Sequence, residues 1–392
     1  MYKIADNIIS SLGFTTEENY KAVKQGISGI KYYDTGTFML PEPFMAALID
    51  KKRLRSEFEK ISHSNNYTDL EKAAILSVYS ANKEANIDLE SDKTLFILST
   101  TKGNIEQLIM KEKNDSSLYL WHTAELITGF FNNPNTPLVV SNACISGAAA
   151  QITAKRALQS GKYDYVVVVG VDFLSKFIIS GFQSFKALSP ELCRPFDKDR
   201  CGLNLGEAAA TMIMSNEKLT INKVQSNNGY KFIAGAVRND ATHISAPSRM
   251  GEGSFRALKY VLQNIDINDI AFINAHGTAT PYNDAMEMNA IVRAGLENIP
   301  VNALKSYFGH TLGAAGIVET IISMRALCEG IIMKTLGFQE NEQITMSNEP
   351  FSLRVCKENR KTDKHCFVKL ISGFGGVNAA LLYATNYSNY TN

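Results

Sequence analysis

The chain has 392 residues, 45% of them hydrophobic, and its 40 basic and 39 acidic side chains leave a formal charge of +1. That balance excludes a global field drawing nucleic acid or an anionic membrane, and the length is enough for a large core, as one body or as two ordinary domains. Six cysteines without a CxxC pair, in a chain too long to need staples, argue against a disulfide framework and for a reducing compartment, the cytoplasm.

At the start, "MYKIADNIISSLGF" carries Asp6 inside its only apolar stretch and has no small-residue cleavage site. No run approaches the ~18 apolar residues of a spanning helix, so neither a leader nor a membrane span is expected. A helical pattern is expected over "FMAALIDKKRLRSEFEKI" (44–61) and a loop near 110–130. Buried strands, rich in β-branched residues, are expected at 94–100, 137–143, 163–170, 209–215, 270–276 and 379–385. Helical patterns lie between most of them, which predicts an α/β architecture with largely buried sheets.

The chain also resembles itself. "CISGAAAQITAKRALQSG" from Cys144 and "HTLGAAGIVETIISMRALCEG" from His310 both reach Gly-Ala-Ala three residues on and then run as an apolar helix to a glycine. The flanks agree in order: "FILSTTKG" (96–103) aligns with "FINAHGTA" (272–279), and "LGEAAATMIM" (205–214) with "GGVNAALLYA" (375–384). This predicts two similar halves, 1–215 and 216–392, packed as one body, with the extra segments in the first.

Cys144 and His310 occupy equivalent places in the two units. Cys144 sits on a tight strand-to-helix connection with small residues on the helix's first turn, where backbone N–H groups and the helix dipole favour a thiolate. A small core cysteine is the other reading of the same residues. At a helix start the dipole keeps His310 neutral, and a neutral ring can donate a hydrogen bond to a carbonyl. His276 closes a strand and opens "HGTATPYND" at the edge where α/β sites form, or else is a structural cap there. Lys305 in "NALKSYFGH" is a surface lysine in most settings. The other histidines, 63, 122, 243 and 365, form no zinc-type spacing with cysteine or aspartate, so no metal is expected.

The motifs "NACISG", "ALSPELCRPFDKDRCGLNLGEAAA", "NAHGTATPYNDAMEMNA", "KSYFGHTLGAAGIVE" and "SGFGGVNAALL" resemble, in order, those of β-ketoacyl synthases of the elongating type. "SLGFTTEENYKAVKQGISGI" is similar to the family's N-terminal helix and loop, so the likeness covers nearly the whole chain. It implies the thiolase fold, a five-layered αβαβα body of two duplicated halves. It also implies that Cys144 is the acyl-accepting nucleophile, His276 and His310 the two catalytic histidines, and Lys305 the lysine supporting them. Asp284, Glu287 and Glu319 match acidic residues that order the polar network. Thr278 and Thr280 match threonines that bind the phosphopantetheine arm, and Phe374 matches an aromatic gate beside the nucleophile.

The activity so implied is decarboxylative Claisen condensation with malonyl-acyl carrier protein. Its substrates ride on the carrier's phosphopantetheine and no further cofactor is needed. The partners implied are the carrier protein and a second subunit, the same or related. The chain lacks the Val-Thr-Gly-x-Gly opening common in the family, and its 100–130 region departs from the housekeeping enzymes, which points to a polyketide or polyene route. Two rivals stand beside this reading. A non-catalytic chain-length subunit keeps the fold but loses the nucleophile, and a cysteine hydrolase leaves the second histidine, the lysine and the duplication unexplained.

Overall fold

The computed structural model describes residues 1–109, 115–216, 230–341, 344–346 and 349–385. Its main strands are β1 (Tyr2–Ser10), β2 (Thr94–Ser99), β3 (Leu138–Val140), β4 (Tyr165–Asp172), β5 (Ala208–Ser215), β6 (Tyr230–Asn239), β7 (Ile270–Asn274), β8 (Pro300–Asn302), β9 (Arg354–Val355), β10 (Cys366–Gly373) and β11 (Val377–Thr385). They run in the order β9-β8-β7-β10-β11-β6-β1-β5-β4-β2-β3. Apart from the two-residue edge strand β9, the strands of each half follow one scheme: third, second, fourth, fifth, first. The first three of that scheme pair in parallel and the last two join antiparallel. Among the described residues the halves join edge to edge only where Tyr2 and Lys3 pair with Lys231 and Tyr230.

Burial on both faces of the strands produces the layers. Alternate residues of one strand feed different cores: Leu95 and Ile97 face a middle cluster, Phe96 and Leu98 an outer one. The middle cluster also takes Phe272, Phe367 and Leu381 from the second half, whose other faces, through Ile273, Val368 and Leu382, form a third cluster. Helix α1 (Asp69–Ala85), started by a capping box of Thr68 and Glu71, covers one outer face. Helices α2 (Glu252–Val261) and α3 (Pro281–Arg293) cover the other.

Between the sheets lie the two helices that start at the repeated Gly-Ala-Ala, Ser146–Gln159 and Ala315–Cys328. The glycines Gly147 and Gly316 have a packing reason. A Cβ on Gly147 would meet the Gly313 carbonyl oxygen at 2.8 Å, and one on Gly316 would meet the Ala148 nitrogen at 2.6 Å, so the helices cross with backbone against backbone. Gln151 Nε2 donates to the carbonyls of Gly147 and Gly316 and seals the crossing. Gly316→Val is expected to lose at least about 3 kcal/mol of unfolding free energy, the upper range for overpacking where only backbone can yield. Gly129→Val, where a Cβ meets nothing within 4 Å, should lose much less in the same urea titration.

Three expectations are corrected. The stretch 44–61 is not all helix: Phe44–Ala47 is a strand paired with Lys31–Tyr33, and the helix Lys51–Glu59 starts only after the Asp50 cap. Phe44, Ala46 and Ala47 are buried, and sheet pairing outweighs the helical propensity of the alanines. The expected loop near 110–130 contains the helix Leu120–Gly129, while 110–114 lie outside the described residues. The strand expected over 137–143 is only Leu138–Val140, because Ala143 turns into a left-handed φ of 46° before the nucleophile. The expected boundary at Ser215 falls at the end of β5, and 217–229 lie outside the described residues. Among the described residues no helix is long and apolar enough to cross a membrane, and the six cysteines are free thiols.

Candidate active site

Cys144 lies in the turn between β3 and the helix Ser146–Gln159. Ala143, at a positive φ that non-glycine residues occupy at a cost of about 1–3 kcal/mol, gives the turn its sharpness. Ser146 holds it closed, its Oγ accepting from the Asn142 N–H at 2.8 Å and donating to the Ala143 carbonyl at 2.6 Å. The end of β10 lies against this turn. A Cβ on Gly373 would stand 3.0 Å from the Cys144 nitrogen, and the Phe374 backbone N–H faces the sulphur.

The resting thiol departs from expectation. Burial pushes Cys144 up to about 11, against the opposing pull of Lys305, Lys102 and the Phe374 N–H. Burial thus favours the protonated thiol at neutral pH. Cys201 is exposed and lines the same cavity.

His276 and His310 meet edge to face with ring centroids 5.1 Å apart, and both are buried. Both are pushed well below the ordinary histidine range, first by burial and then by the cations of Lys305 and Lys369, with His310 adding to the effect on His276. His310 was expected to owe its neutrality to a helix dipole. It precedes a short turn, Leu312–Ala314, that leads into Ala315–Cys328, and burial beside two lysines is the cause instead. Its backbone is pinned by N–H to the Asn204 carbonyl at 2.7 Å and by its own carbonyl to the Gly206 N–H at 3.0 Å.

Lys305 is fully buried, its Nζ donating to the His276 carbonyl at 3.0 Å and pairing with Glu319. Glu287 accepts from the N–H groups of His276 and Gly277, both at 2.7 Å, so the His276 peptide is gripped from two sides. Burial and the neighbouring Asp284 push Glu287 above the usual carboxylate range. Asp284 accepts from the N–H groups of Phe196 at 2.7 Å, Thr278 at 3.0 Å and Ala279 at 3.1 Å, and fixes the loop after His276. Burial pushes it upward as well. Thr278 Oγ1 and Thr280 Oγ1 lie 2.9 Å apart.

Cys144, His276, His310, Thr278, Thr280 and Phe374 line one cavity of about 590 Å³. Phe374 is 43% exposed and packs on Phe182 and Phe185, with ring centroids at 5.9 and 5.6 Å. Among the described residues no three His, Cys, Asp or Glu side chains group as metal ligands would. In the basic stretch "KKRLR" (51–55), Lys51 pairs with Glu207 at 3.1 Å, Arg53 with Glu18 at 2.8 Å and Arg55 with Asp69 at 2.8 Å. These partners within the chain neutralise most of its charge.

Sequence reasoning missed several groups. Phe182 and Phe185 form the aromatic wall that meets Phe374. Asp172 is buried at the end of β4 and accepts from the N–H groups of Thr101 at 2.9 Å and Gly313 at 2.7 Å, tying the loop after His310 to the first half. Lys369 is fully buried in β10 and pairs with Glu319 at 2.5 Å. The signal for both was a charge closing or interrupting an apolar strand.

A family model described as the β-ketoacyl synthase N-terminal domain matches residues 7–219, and one described as its C-terminal domain matches residues 230–339. The 3-oxoacyl-[acyl-carrier-protein] synthase 2 of Rhizobium meliloti (strain 1021) is 34% identical over 263 residues, 64% of this chain and 60% of that protein. The mitochondrial 3-oxoacyl-[acyl-carrier-protein] synthase of Arabidopsis thaliana is 32% identical over 275 residues, 65% of this chain and 57% of that protein. The chain thus spans less than two thirds of the length of these relatives. A solved structure described as the ishigamide ketosynthase/chain length factor superposes with a TM-score of 0.85 at 25% identity over 98% of this chain and 99% of that one. A β-ketoacyl synthase from Burkholderia phymatum STM815, 23% identical over 98% and 99% of the two chains, superposes with a TM-score of 0.82 and shares the fold. With both domain models matched and the two halves built on one strand scheme around a pair of crossing helices, the chain belongs to the β-ketoacyl synthase family and has the thiolase fold.

Proposed function

We propose that this protein performs the decarboxylative condensation of an acyl-enzyme thioester with malonyl-acyl carrier protein, giving a 3-oxoacyl chain two carbons longer. The carrying observation is that one cavity brings a thiol together with two imidazoles whose surroundings hold them neutral. In the first step the Cys144 sulphur attacks the carrier-bound thioester and the pantetheine thiol leaves. The N–H groups of Cys144 and Phe374 receive the oxyanion. Malonyl carrier then enters along Thr278 and Thr280. As carbon dioxide leaves, the bonding pair passes into an enolate whose oxygen accepts hydrogen bonds from neutral His276 and His310. The enolate carbon attacks the acyl-cysteine carbonyl, the C–S bond breaks, and the departing Cys144 thiolate takes up a proton from solvent.

In this reading Lys305, Glu287, Asp284 and Glu319 position the histidines, and Phe374 is the gate beside the nucleophile. Residues 1–215 carry the nucleophile and 216–392 both histidines. A location in the cytoplasm, substrates carried on phosphopantetheine with no other cofactor, and a homodimer or a heterodimer with a related subunit complete the proposal. We favour a specialised polyketide or polyene route over primary fatty acid synthesis, on the departures of the opening and of residues 100–130 from the housekeeping pattern; the chain is also similar to the ishigamide ketosynthase/chain length factor structure.

The same likeness motivates a second reading, a chain-length subunit that does no chemistry. Intact-protein mass spectrometry after incubation with acyl carrier proteins separates the two. Wild type is expected to gain one acyl mass and Cys144→Ala none. A wild type that never acylates, yet raises the turnover of a related synthase, establishes the second reading.

A further inference from the structure

The cluster behind the two histidines holds more positive charge than their positioning requires. Lys305 and Lys369 are both fully buried and share one carboxylate, Glu319. Each ammonium also caps a carbonyl of the turn that carries the first histidine: Lys369 Nζ donates to the Ala275 carbonyl at 3.1 Å, and Lys305 Nζ to that of His276 at 3.0 Å. On the N–H side the same turn is held by Glu287, whose carboxylate is taken up by His276, Gly277 and Asn283. Gly277, at φ 48°, makes the turn and leaves it dependent on these charged anchors.

We propose that Lys369 is a positioning residue of the condensing site, the second cation of a buried Lys305–Glu319–Lys369 cluster that anchors the backbone before His276 and sets a second ammonium behind the two rings. The inference rests on the condensing reaction proposed above. Glu319 is shared between the two buried cations, and Glu287, which also faces Lys369, spends its carboxylate on the N–H groups of His276 and Gly277, so at the two rings the lysines' influence stays positive in a site that screens it little. That charge disfavours protonation of both rings, so they donate hydrogen bonds as neutral imidazoles, and it lowers the energy of the negative charge that forms when carbon dioxide departs.

Burial pulls Lys369 below the ordinary lysine range, with Lys305 adding to the effect and Glu319 and Glu287 opposing it. These three groups face Lys369 from the helices Ala315–Cys328 and Pro281–Arg293 and the segment Lys305–Phe308; His276 and His310 complete its titratable surroundings. The charge is therefore removable at mildly alkaline pH, and decarboxylation should fall as pH rises through that range.

The test measures release of carbon dioxide from malonyl-N-acetylcysteamine, and acyl loading of Cys144, between pH 6 and 10 for wild type, Lys369→Met and Lys369→Arg. Wild type should show an alkaline limb in carbon dioxide release that loading lacks. In Lys369→Met release should fall roughly tenfold to a hundredfold more than loading, a part of the effect of losing a direct oxyanion donor, and the limb should vanish. Lys369→Arg, charged throughout, should recover part of the rate without the limb. A limb unchanged in Lys369→Met, or a wild-type profile flat to pH 10, overturns the proposal even if the arginine variant fails to fold. Equal losses of release and loading, tracking a lowered melting temperature, also overturn it. A wild type that loads acyl groups but releases no carbon dioxide overturns this inference together with the condensing reaction, and so is distinct from the failures specific to Lys369.

Discussion

His310→Ala is expected to keep acyl transfer to Cys144 within a few-fold of wild type while carbon dioxide release from malonyl carrier falls by roughly 10²-fold or more, the usual loss for one oxyanion donor. The variant isolates the ring. The His310 backbone is held by Asn204 and Gly206 through main-chain bonds that alanine preserves, so the loop that places it should survive. His276, 5.1 Å away by ring centroids, would then donate alone to the enolate oxygen. The first step needs neither ring as an oxyanion donor, since that oxyanion sits on the N–H groups at Cys144 and Phe374. Single-turnover acylation read by intact mass, beside carbon dioxide release, decides the point. Parallel losses in both steps would assign His310 to the nucleophile instead.

Glu319→Gln is expected to be the most destabilising conservative change in the site, costing about 3–5 kcal/mol at pH 7, as when one partner of a buried ion pair is removed. The substituted amide would keep the shape of the carboxylate but present a donor to an ammonium donor, and two buried cations would lose their shared counterion. The molecule can limit the cost by releasing a proton from one lysine, which lowers that lysine's folded-state value further. A folded state that binds fewer protons than the unfolded chain gains stability as pH rises toward the ordinary lysine value. The deficit against wild type should therefore be largest near neutral pH and shrink toward about pH 10. Urea titrations at pH 7 and 9.5 check this, and a deficit of equal size at both would mean that the loss is one of packing.

The sequence by itself determined the duplicated architecture and pointed to the residues that line the candidate site, because both are written in local patterns. Gly147, in the Gly-Ala-Ala after Cys144, and Gly316, one residue past the Gly-Ala-Ala after His310, mark a helix crossing too close for any side chain, so these small residues carry a packing cause. Strands buried on both faces, such as "YVVVVG" in β4, are legible as apolar runs whatever lies beyond them. Strands with charges in them were not: β1 carries Asp6, which pairs with Lys3, and β10 carries Lys369. A charge in a strand reads as surface until its partner is known, and the partner of Lys369, Glu319, comes from a helix well before β10 in the chain.

Only the tertiary structure decided the electrostatics. Lys305 reads as a solvated lysine and is fully buried. His310 is neutral through burial beside two cations rather than through a helix dipole, and Cys144 is a protonated thiol because desolvation outweighs the N–H groups around it. Protonation depends on which charges lie within a few ångströms and how far water is excluded, and both are set by segments distant in sequence. Motif spacing specifies which groups meet, and the folded environment specifies their charge.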